Sequence, residues 1–117
     1  MDFNQNKPIY LQIADSICEK ILSGEYLPDE RILSVRELGV TLGVNPNTIA
    51  RVYDHLQGME VIYNKRGIGY FVAHSALERI VEKQREEFLR KELPAVARKM
   101  KLLGVPIEVL GEMMGRE

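Results

Sequence analysis

Apolar residues recur with a helical period in several stretches of this chain, most clearly over residues 45–56. The apolar positions there have the i, i+3, i+4, i+7 spacing of one buried helix face: Ile49, Val52, Tyr53 and Leu56. Asn45 can cap the first turn, and Pro46 suits the first helical position because it lacks an N–H. The opposite face is polar and carries Asn47, Thr48, Arg51 and His55. The pattern predicts an amphipathic helix whose polar face can contact a partner.

Two more helices are predicted before this one. After a polar arm at residues 1–8, apolar spacing predicts a helix from Ile9 to Ser23 that ends at Gly24. A loop follows from Glu25 to Leu33. Ser34 to Glu37 then has the S-x-x-E pattern of a capping box, which predicts the start of a second helix that stops at Gly43. Two short helices joined by a glycine-containing turn of three residues are typical of a helix-turn-helix.

The pattern changes after Gly58 to short β-rich runs. Val61 to Tyr63 and Tyr70 to Ala73 are rich in β-branched and aromatic residues, and residues 64–69 between them form a polar segment with two glycines. We predict a two-stranded hairpin whose tip carries Lys65, Arg66 and Gly67. Three helices followed by such a hairpin make a winged helix-turn-helix.

The last 43 residues, 75–117, predict a helical extension. Ser75 to Glu78 is a second capping box that opens a long helix, which Pro94 should kink or divide. An apolar stripe continues to Gly104, and Pro106 opens a last short helix. The fold class expected is mainly α with a small β-hairpin: a winged helix-turn-helix domain at 1–74 and a helical dimerisation region at 75–117.

Composition changes this picture little. The chain has 117 residues, 45% hydrophobic and 28% charged, which is ordinary for one small domain plus an extension. Neither a membrane-spanning run nor a secretory signal is visible, so we expect a cytoplasmic protein that does not contact a membrane. The single cysteine, Cys18, lies among apolar residues and is expected to be buried.

Charge gives a mixed indication about nucleic acid. The formal net charge of −1 argues mildly against DNA binding. Between Arg31 and Tyr70, however, five basic residues outnumber three acidic ones, and binding depends on where cations lie. Arginine can bond guanine bidentately or clamp a phosphate, asparagine can serve adenine, and a helix N-terminus attracts phosphate. A glycine at a hairpin tip permits close approach to a DNA backbone, and adjacent cations suit phosphates.

Enzymatic chemistry has little support. The sequence shows no nucleophile with a base and an orienting group, no phosphate-cradling glycine loop and no metal-ligand cluster. His55 and His74 lack further ligands at metal spacing. We therefore expect no catalytic residues, no metal and no cofactor. The Met100, Met113 and Met114 stripe is expected in core or dimer packing.

Four segments in this order resemble the DNA-binding domain of GntR-family bacterial transcription regulators. They begin at Pro8-Ile9-Tyr10, Leu33-Ser34-Val35, Val44-Asn45-Pro46 and Lys65-Arg66-Gly67. The Asn-Pro-Asn-Thr turn and the short C-terminal region resemble the YtrA-like subfamily. The resemblance implies a dimeric repressor or regulator that binds a palindromic operator on double-stranded DNA.

The resemblance also implies site residues. It places Arg36, Asn45, Asn47, Thr48 and Arg51 against DNA, and Gly67 of the wing near the minor groove. Lys65 and Arg66 complete the DNA-binding set predicted from the residues. Three positions depart from the family pattern: Asp29 and Glu60 stand where glycine is usual, and Leu33 where proline is usual. Ala50 stands where many relatives carry a second arginine.

Two functional hypotheses remain at this point. The first is a sequence-specific regulator, a dimeric repressor that binds DNA through residues 45–57 and the wing at 64–69. The alternative is a winged helix that serves as a protein-interaction module without specific DNA binding. A neutral or acidic surface around Arg36, Arg51 and Lys65 would favour the alternative. The sequence neither supports nor excludes a small-molecule effector in the dimer groove.

Overall fold

The computed structural model describes residues 7–115, so most of the predicted N-terminal arm, residues 1–6, lies outside the described residues. The chain divides into two compact units, residues 1–81 and residues 82–117. The elements follow the order that the sequence predicts: three helices, a hairpin and further helices. None of the helices within 7–115 is both long and apolar enough to cross a membrane.

Helix α1 spans Ile9–Leu22 and buries one face. Its buried residues are Ile13, Ala14, Ile17, Cys18 and Ile21. Ser23 caps its C-terminus by donating its backbone N–H to Glu19 O, and Gly24 follows with φ +83°. The predicted end of this helix and the burial of Cys18 are confirmed.

Helices α2, Val35–Leu42, and α3, Pro46–Gly58, form the helix-turn-helix. The predicted capping box is present in both directions: Ser34 Oγ accepts from Glu37 N–H, and a Glu37 carboxylate oxygen accepts from Ser34 N–H. Gly43 ends α2 in the left-handed conformation at φ +66°. Gly39 of α2 is buried, and a Cβ there would lie 2.9 Å from Val44 O in the turn before α3. The absence of a side chain at Gly39 therefore allows α2 to lie close to this turn.

The hairpin pairs β1, Ile62–Lys65, with β2, Gly69–Val72, in antiparallel register from Ile62 opposite Val72 to Lys65 opposite Gly69. The predicted turn at 64–69 is therefore too long, because residues 64 and 65 continue β1. Only residues 66–68 form the turn, which Ile68 N–H closes by donating to Lys65 O at 2.9 Å. Gly67 has φ +80°, the value that a type II turn requires at its third position.

A third segment, which the sequence predicted only as loop, extends this sheet. Arg31 forms an isolated antiparallel bridge with Phe71. On either side, Ile32 N–H donates to Tyr70 O and Val72 N–H donates to Glu30 O. The loop before α2 is thereby fixed to the wing.

The first unit encloses a single apolar core. Its buried hydrophobic residues come from all three helices, the segment before α2, the hairpin with the residue before it, and the start of the next helix: Ile13, Ala14, Ile17, Cys18, Ile21, Ile32, Leu38, Ile49, Val52, Tyr53, Leu56, Val61, Ile62, Val72, Ala76 and Ile80. Tyr53 connects three parts of it, since its hydroxyl donates to Leu33 O at 2.6 Å and its ring meets that of Tyr70 edge-on at 4.8 Å. Burial raises the pKa of the Tyr53 phenol, which therefore stays a hydrogen-bond donor.

The two departures from the family's glycines occupy left-handed backbone. Asp29 and Glu60 each have φ +62°, a conformation that glycine adopts without a Cβ penalty. Asp29 is held there by its N–H bond to Val72 O and by its carboxylate, which meets the Tyr63 hydroxyl and His74 at 3.2 Å. Glu60 forms an ion pair with Arg79 at 3.2 Å. Contacts with residues distant in sequence thus accompany both left-handed positions.

After the hairpin, α4 spans Ala76–Glu87, a π-helical segment spans Phe88–Glu92, and α5 spans Leu93–Leu103. Pro94 lies in the first turn of α5. Because proline lacks an N–H and its ring clashes with the carbonyl four residues earlier, regular α-helical hydrogen bonding is interrupted before it. The predicted division of the long helix is confirmed, and it takes the form of a π-helical segment.

The second unit ends with α6, Ile107–Gly115, which follows Gly104 at φ +67°. Neither α5 nor α6 contains a buried residue. Between them is a mostly apolar groove of about 580 Å³, whose lining includes Leu93, Val96, Met100, Val105 and Leu110. Met113 and Met114 are 68% and 71% exposed, so they do not pack in a core within the chain.

Candidate nucleic-acid interface

The N-terminus of α3 presents the polar face predicted from the sequence. Asn45 caps the helix, with Oδ1 accepting from Asn47 N–H at 2.8 Å. This bond uses only the Asn45 oxygen. Asn47 is exposed and Thr48 is half-buried. Helix start, capping side chain and two neutral polar side chains thus share one end of α3, where the helix dipole favours a phosphate.

Arg36 lies in the first turn of α2 and is exposed, as predicted. The neighbouring Glu37 is bound in the capping box, and its hydrogen bonds with Ser34 are the main cause of the lowered pKa of its carboxyl. The Glu37 carboxylate next to Arg36 is therefore already hydrogen-bonded to the backbone N–H of Ser34.

Arg51 is exposed but stacked. Its Cζ lies 4.1 Å from the centroid of the Tyr10 ring on α1, and Tyr10 in turn meets the His55 ring edge-on at 6.0 Å. A guanidinium on an aromatic face keeps its N–H donors at its edge for a second partner. This support from α1 was not predicted from the sequence.

The wing separates the cations predicted at its tip. Arg66 and Gly67 are in the turn and exposed. Lys65 ends β1, and its Nζ lies 4.8 Å from the centroid of the Phe71 ring, which stacks on Tyr63 at 5.6 Å. The structure therefore places Lys65 on a face of the hairpin, and only Arg66 and Gly67 at its end.

The site cations keep their charge uncompensated by ion pairs. Within residues 7–115 the ion pairs are Lys7 with Asp15 and Arg79 with Glu60, and His74 Nδ1 lies 3.2 Å from an Asp29 carboxylate oxygen. None of them includes Arg36, Arg51, Lys65 or Arg66. In the same part of the chain, no three His, Cys, Asp or Glu residues are grouped as a metal site would need.

Sequence reasoning missed Arg31 as a candidate. It was included only in the count of basic residues, because it fell in a predicted loop. The bridge to Phe71 brings it to the wing, where its guanidinium packs beside Gly69. Only the pairing of residues far apart in sequence reveals this position.

Comparison with known proteins identifies the fold. A family model for bacterial regulatory proteins of the gntR family matches residues 9–72, which is more than half of the chain. In Bacillus subtilis, the HTH-type transcriptional regulator YhcF is 38% identical over 110 residues, which are 94% of this chain and 89% of that protein. The B. subtilis repressor YtrA is 30% identical over 96% of this chain and 85% of its own length, in agreement with the subfamily resemblance.

Two solved structures of regulators also match this chain. A GntR-family regulator structure from Bacteroides thetaiotaomicron is 47% identical, with a TM-score of 0.79 over 93% of this chain and 95% of that one. The DNA-binding domain of AraR in complex with operator ORR3 is 33% identical, with a TM-score of 0.56 over 62% of this chain and 86% of that one. Since the matched segment contains the capped helix pair and the wing, the chain belongs to the GntR family and is a DNA-binding transcriptional regulator.

Proposed function

We propose that the protein is a repressor that binds a palindromic operator as a two-fold dimer. The observation that carries this proposal is the exposed, asparagine-capped start of α3, together with the exposed Arg36 in the first turn of α2 and the exposed Arg66 in the turn of the wing. A helix start with hydrogen-bonding side chains suits base edges in the major groove, and a cationic hairpin suits the adjacent phosphates and minor groove.

Roles follow from the geometry of each residue. Asn47 and Arg51 have exposed groups for base edges, with Arg51 supported on Tyr10. Asn45 combines helix capping with approach to phosphate or base, and Thr48 offers its hydroxyl to the same partner. Arg36, Lys65 and Arg66 contribute charge, and Gly67 permits close approach of the wing backbone. We infer no catalytic role for these groups, and a regulator that acts on DNA would act in the cytoplasm of a bacterium.

Dimerisation would use the C-terminal region. The apolar groove between α5 and α6 and the exposed Met113 and Met114 are unusual for a surface that stays in water. Burial against a second copy would place two α3 helices for half-sites about one helical turn of DNA apart. Two relatives support the repressor and operator parts of this proposal: YtrA is a repressor, and the AraR DNA-binding domain is seen in complex with an operator.

The alternative, a protein-interaction module, predicted a neutral or acidic surface around the candidate cations. Arg36, Arg51 and Lys65 are exposed, and no ion pair within residues 7–115 neutralises them. This observation favours DNA over a protein partner.

The test is an anisotropy titration of the full chain against the region upstream of its own gene and a scrambled duplex of equal length. We expect tighter binding to the upstream duplex, and Arg51→Ala should weaken that binding by roughly 1–3 kcal/mol. Absence of any preference by a folded dimer at moderate salt would contradict the proposal. An unchanged affinity of Arg51→Ala would remove only Arg51 from the contact surface.

A further inference from the structure

Arg31 connects the two elements that would contact DNA. Its backbone is paired with Phe71 of the wing, with ladder hydrogen bonds on both sides. Three residues later, Ser34 caps α2, whose first turn contains Arg36. The segment from residue 30 to residue 34 is therefore a short extended link from the wing to the helix-turn-helix.

The side chain of Arg31 lies on the outer face of the wing. Paired residues in antiparallel strands share a face, so Arg31 lies on the side of Phe71 and Tyr63, opposite the buried Ile62 and Val72. A Cβ placed on Gly69 would lie 3.0 Å from the Arg31 Nε and 3.6 Å from its Cζ. The missing side chain at Gly69 thus lets the guanidinium lie against the wing backbone, two residues from Gly67.

Its charge is available for a partner. Arg31 is exposed, and no ion pair described within residues 7–115 includes it. It is near enough to the first turn of α2 to lower the pKa of Glu37, though it is the smallest of the causes of that shift. The Glu37 carboxylate is itself bound by Ser34 N–H at 2.9 Å.

We propose that Arg31 is an additional DNA contact that binds the phosphate backbone between the groove contacted by α3 and the groove contacted by the wing. A guanidinium fixed against a strand loses little side-chain freedom on binding, and its planar fork matches a phosphate. A phosphate contact positions the protein and carries no sequence information, so its contribution is the same for all sequences. This proposal rests on the proposed DNA-binding function.

The experiment measures anisotropy with the full chain and two labelled duplexes, the region upstream of its own gene and a scrambled version of equal length. Each titration is repeated between about 50 and 200 mM salt. Arg31→Gln should weaken binding to both duplexes by the same factor and reduce the slope of log affinity on log salt by about 0.9 per protomer. Arg31→Lys should keep the slope, because it keeps the charge.

Arg79→Gln is the matched control. Arg79 is an exposed arginine whose partner Glu60 follows the C-terminus of α3, and that end is about 20 Å from the helix start. The Arg79→Gln variant should leave the slope of log affinity on log salt unchanged. Thermal unfolding of each variant establishes that the fold is retained.

The outcomes separate this proposal from the one on which it rests. If the wild type binds neither duplex, the DNA-binding function itself fails. If the wild type binds and Arg36→Gln loses affinity while Arg31→Gln keeps both affinity and slope, only the Arg31 contact is overturned. If Arg31→Gln and Arg31→Lys lose equal affinity while the salt slope stays unchanged, Arg31 supports the structure of the wing and does not bind phosphate. That result would also overturn the proposed contact.

Discussion

The two units of this chain use their apolar residues in opposite ways. All buried residues within 7–115 lie between Ile13 and Ile80, where three helices and the hairpin enclose one core. Beyond residue 81 the helices are as amphipathic in sequence, yet no residue of α5 or α6 is buried. The first unit contains the contacts that stabilise it, and the second leaves its apolar face exposed within this chain. Amphipathic spacing therefore predicts that a face will be buried but does not tell which molecule covers it.

The largest effect should come from the second unit. Leu110→Glu puts a charge into the groove between α5 and α6, where a buried unpaired carboxylate is costly. We expect loss of the dimer and, because two linked half-site contacts become independent, about 10²- to 10⁴-fold weaker operator binding. Sedimentation velocity and anisotropy measure the two quantities. Lys99→Glu, an exposed position that does not line the groove, should change neither. A dimer that survives Leu110→Glu would show that this face is not the interface.

In the first unit, truncation of a core residue should lower the free energy of unfolding by an amount that does not depend on protein concentration. Leu56 is fully buried, and Leu56→Ala should lower the free energy of unfolding by about 2–5 kcal/mol. Leu27→Ala, at a position 57% exposed, should change it by less than about 0.5 kcal/mol. Urea denaturation at two protein concentrations tests this contrast. A loss for Leu56→Ala that disappears at high concentration would mean that the first unit also depends on association.

Two glycine substitutions sharpen the comparison between the units. Gly39→Ala forces a Cβ to within 2.9 Å of Val44 O, and we expect a loss of about 1–3 kcal/mol because a backbone atom must move. Gly111→Ala in α6 meets nothing within 4 Å, and the better helix propensity of alanine should stabilise by up to about 1 kcal/mol. A Gly39→Ala variant as stable as the wild type in chemical denaturation would contradict the close approach of α2 to the turn before α3.

The smallest effects should come from removing two tyrosine hydroxyls, those of Tyr53 and Tyr63. Tyr53→Phe removes the hydroxyl that donates to Leu33 O, which should cost about 0.5–1.5 kcal/mol. Tyr63→Phe removes a hydroxyl bound to the exposed Asp29 and should cost less, since water can replace that bond. The order of the two losses in thermal melts is the measurement. A larger loss of stability for Tyr63→Phe would mean that the hydrogen bond from Tyr63 to Asp29 stabilises the protein more than the one from Tyr53 to Leu33 O.

Much of the helical framework could be predicted from local sequence. The Ser34 to Glu37 capping box, the Asn45 cap and the stops at Gly24 and Gly43 are each decided by side chains within a few residues of the backbone groups they satisfy. The interruption before Pro94 is equally local. The hairpin was predicted, but the predicted turn was too long because Asn64 and Lys65, which have weak strand preference, pair across the sheet with Tyr70 and Gly69.

The candidate site divides along the same line. The exposure of Arg36, Asn47 and Arg66 could be predicted from their place opposite apolar positions or in a turn. The stacking of Arg51 on Tyr10, the position of Lys65 over Phe71 and the pairing of Arg31 with the wing could not. Each joins residues on different elements, and no periodicity records which elements meet.

By itself, then, the sequence determined where most helices begin and end, which faces are apolar and which polar residues other than Arg31 are candidates for contact. These depend on interactions within a turn or two of the chain. Tertiary structure alone decided that Asp29 and Glu60 adopt left-handed backbone, that Gly39 allows α2 and α3 to approach, and that Arg31 lies against Gly69. These depend on packing between segments distant in sequence, where distance and shape, and not residue type, select the partner.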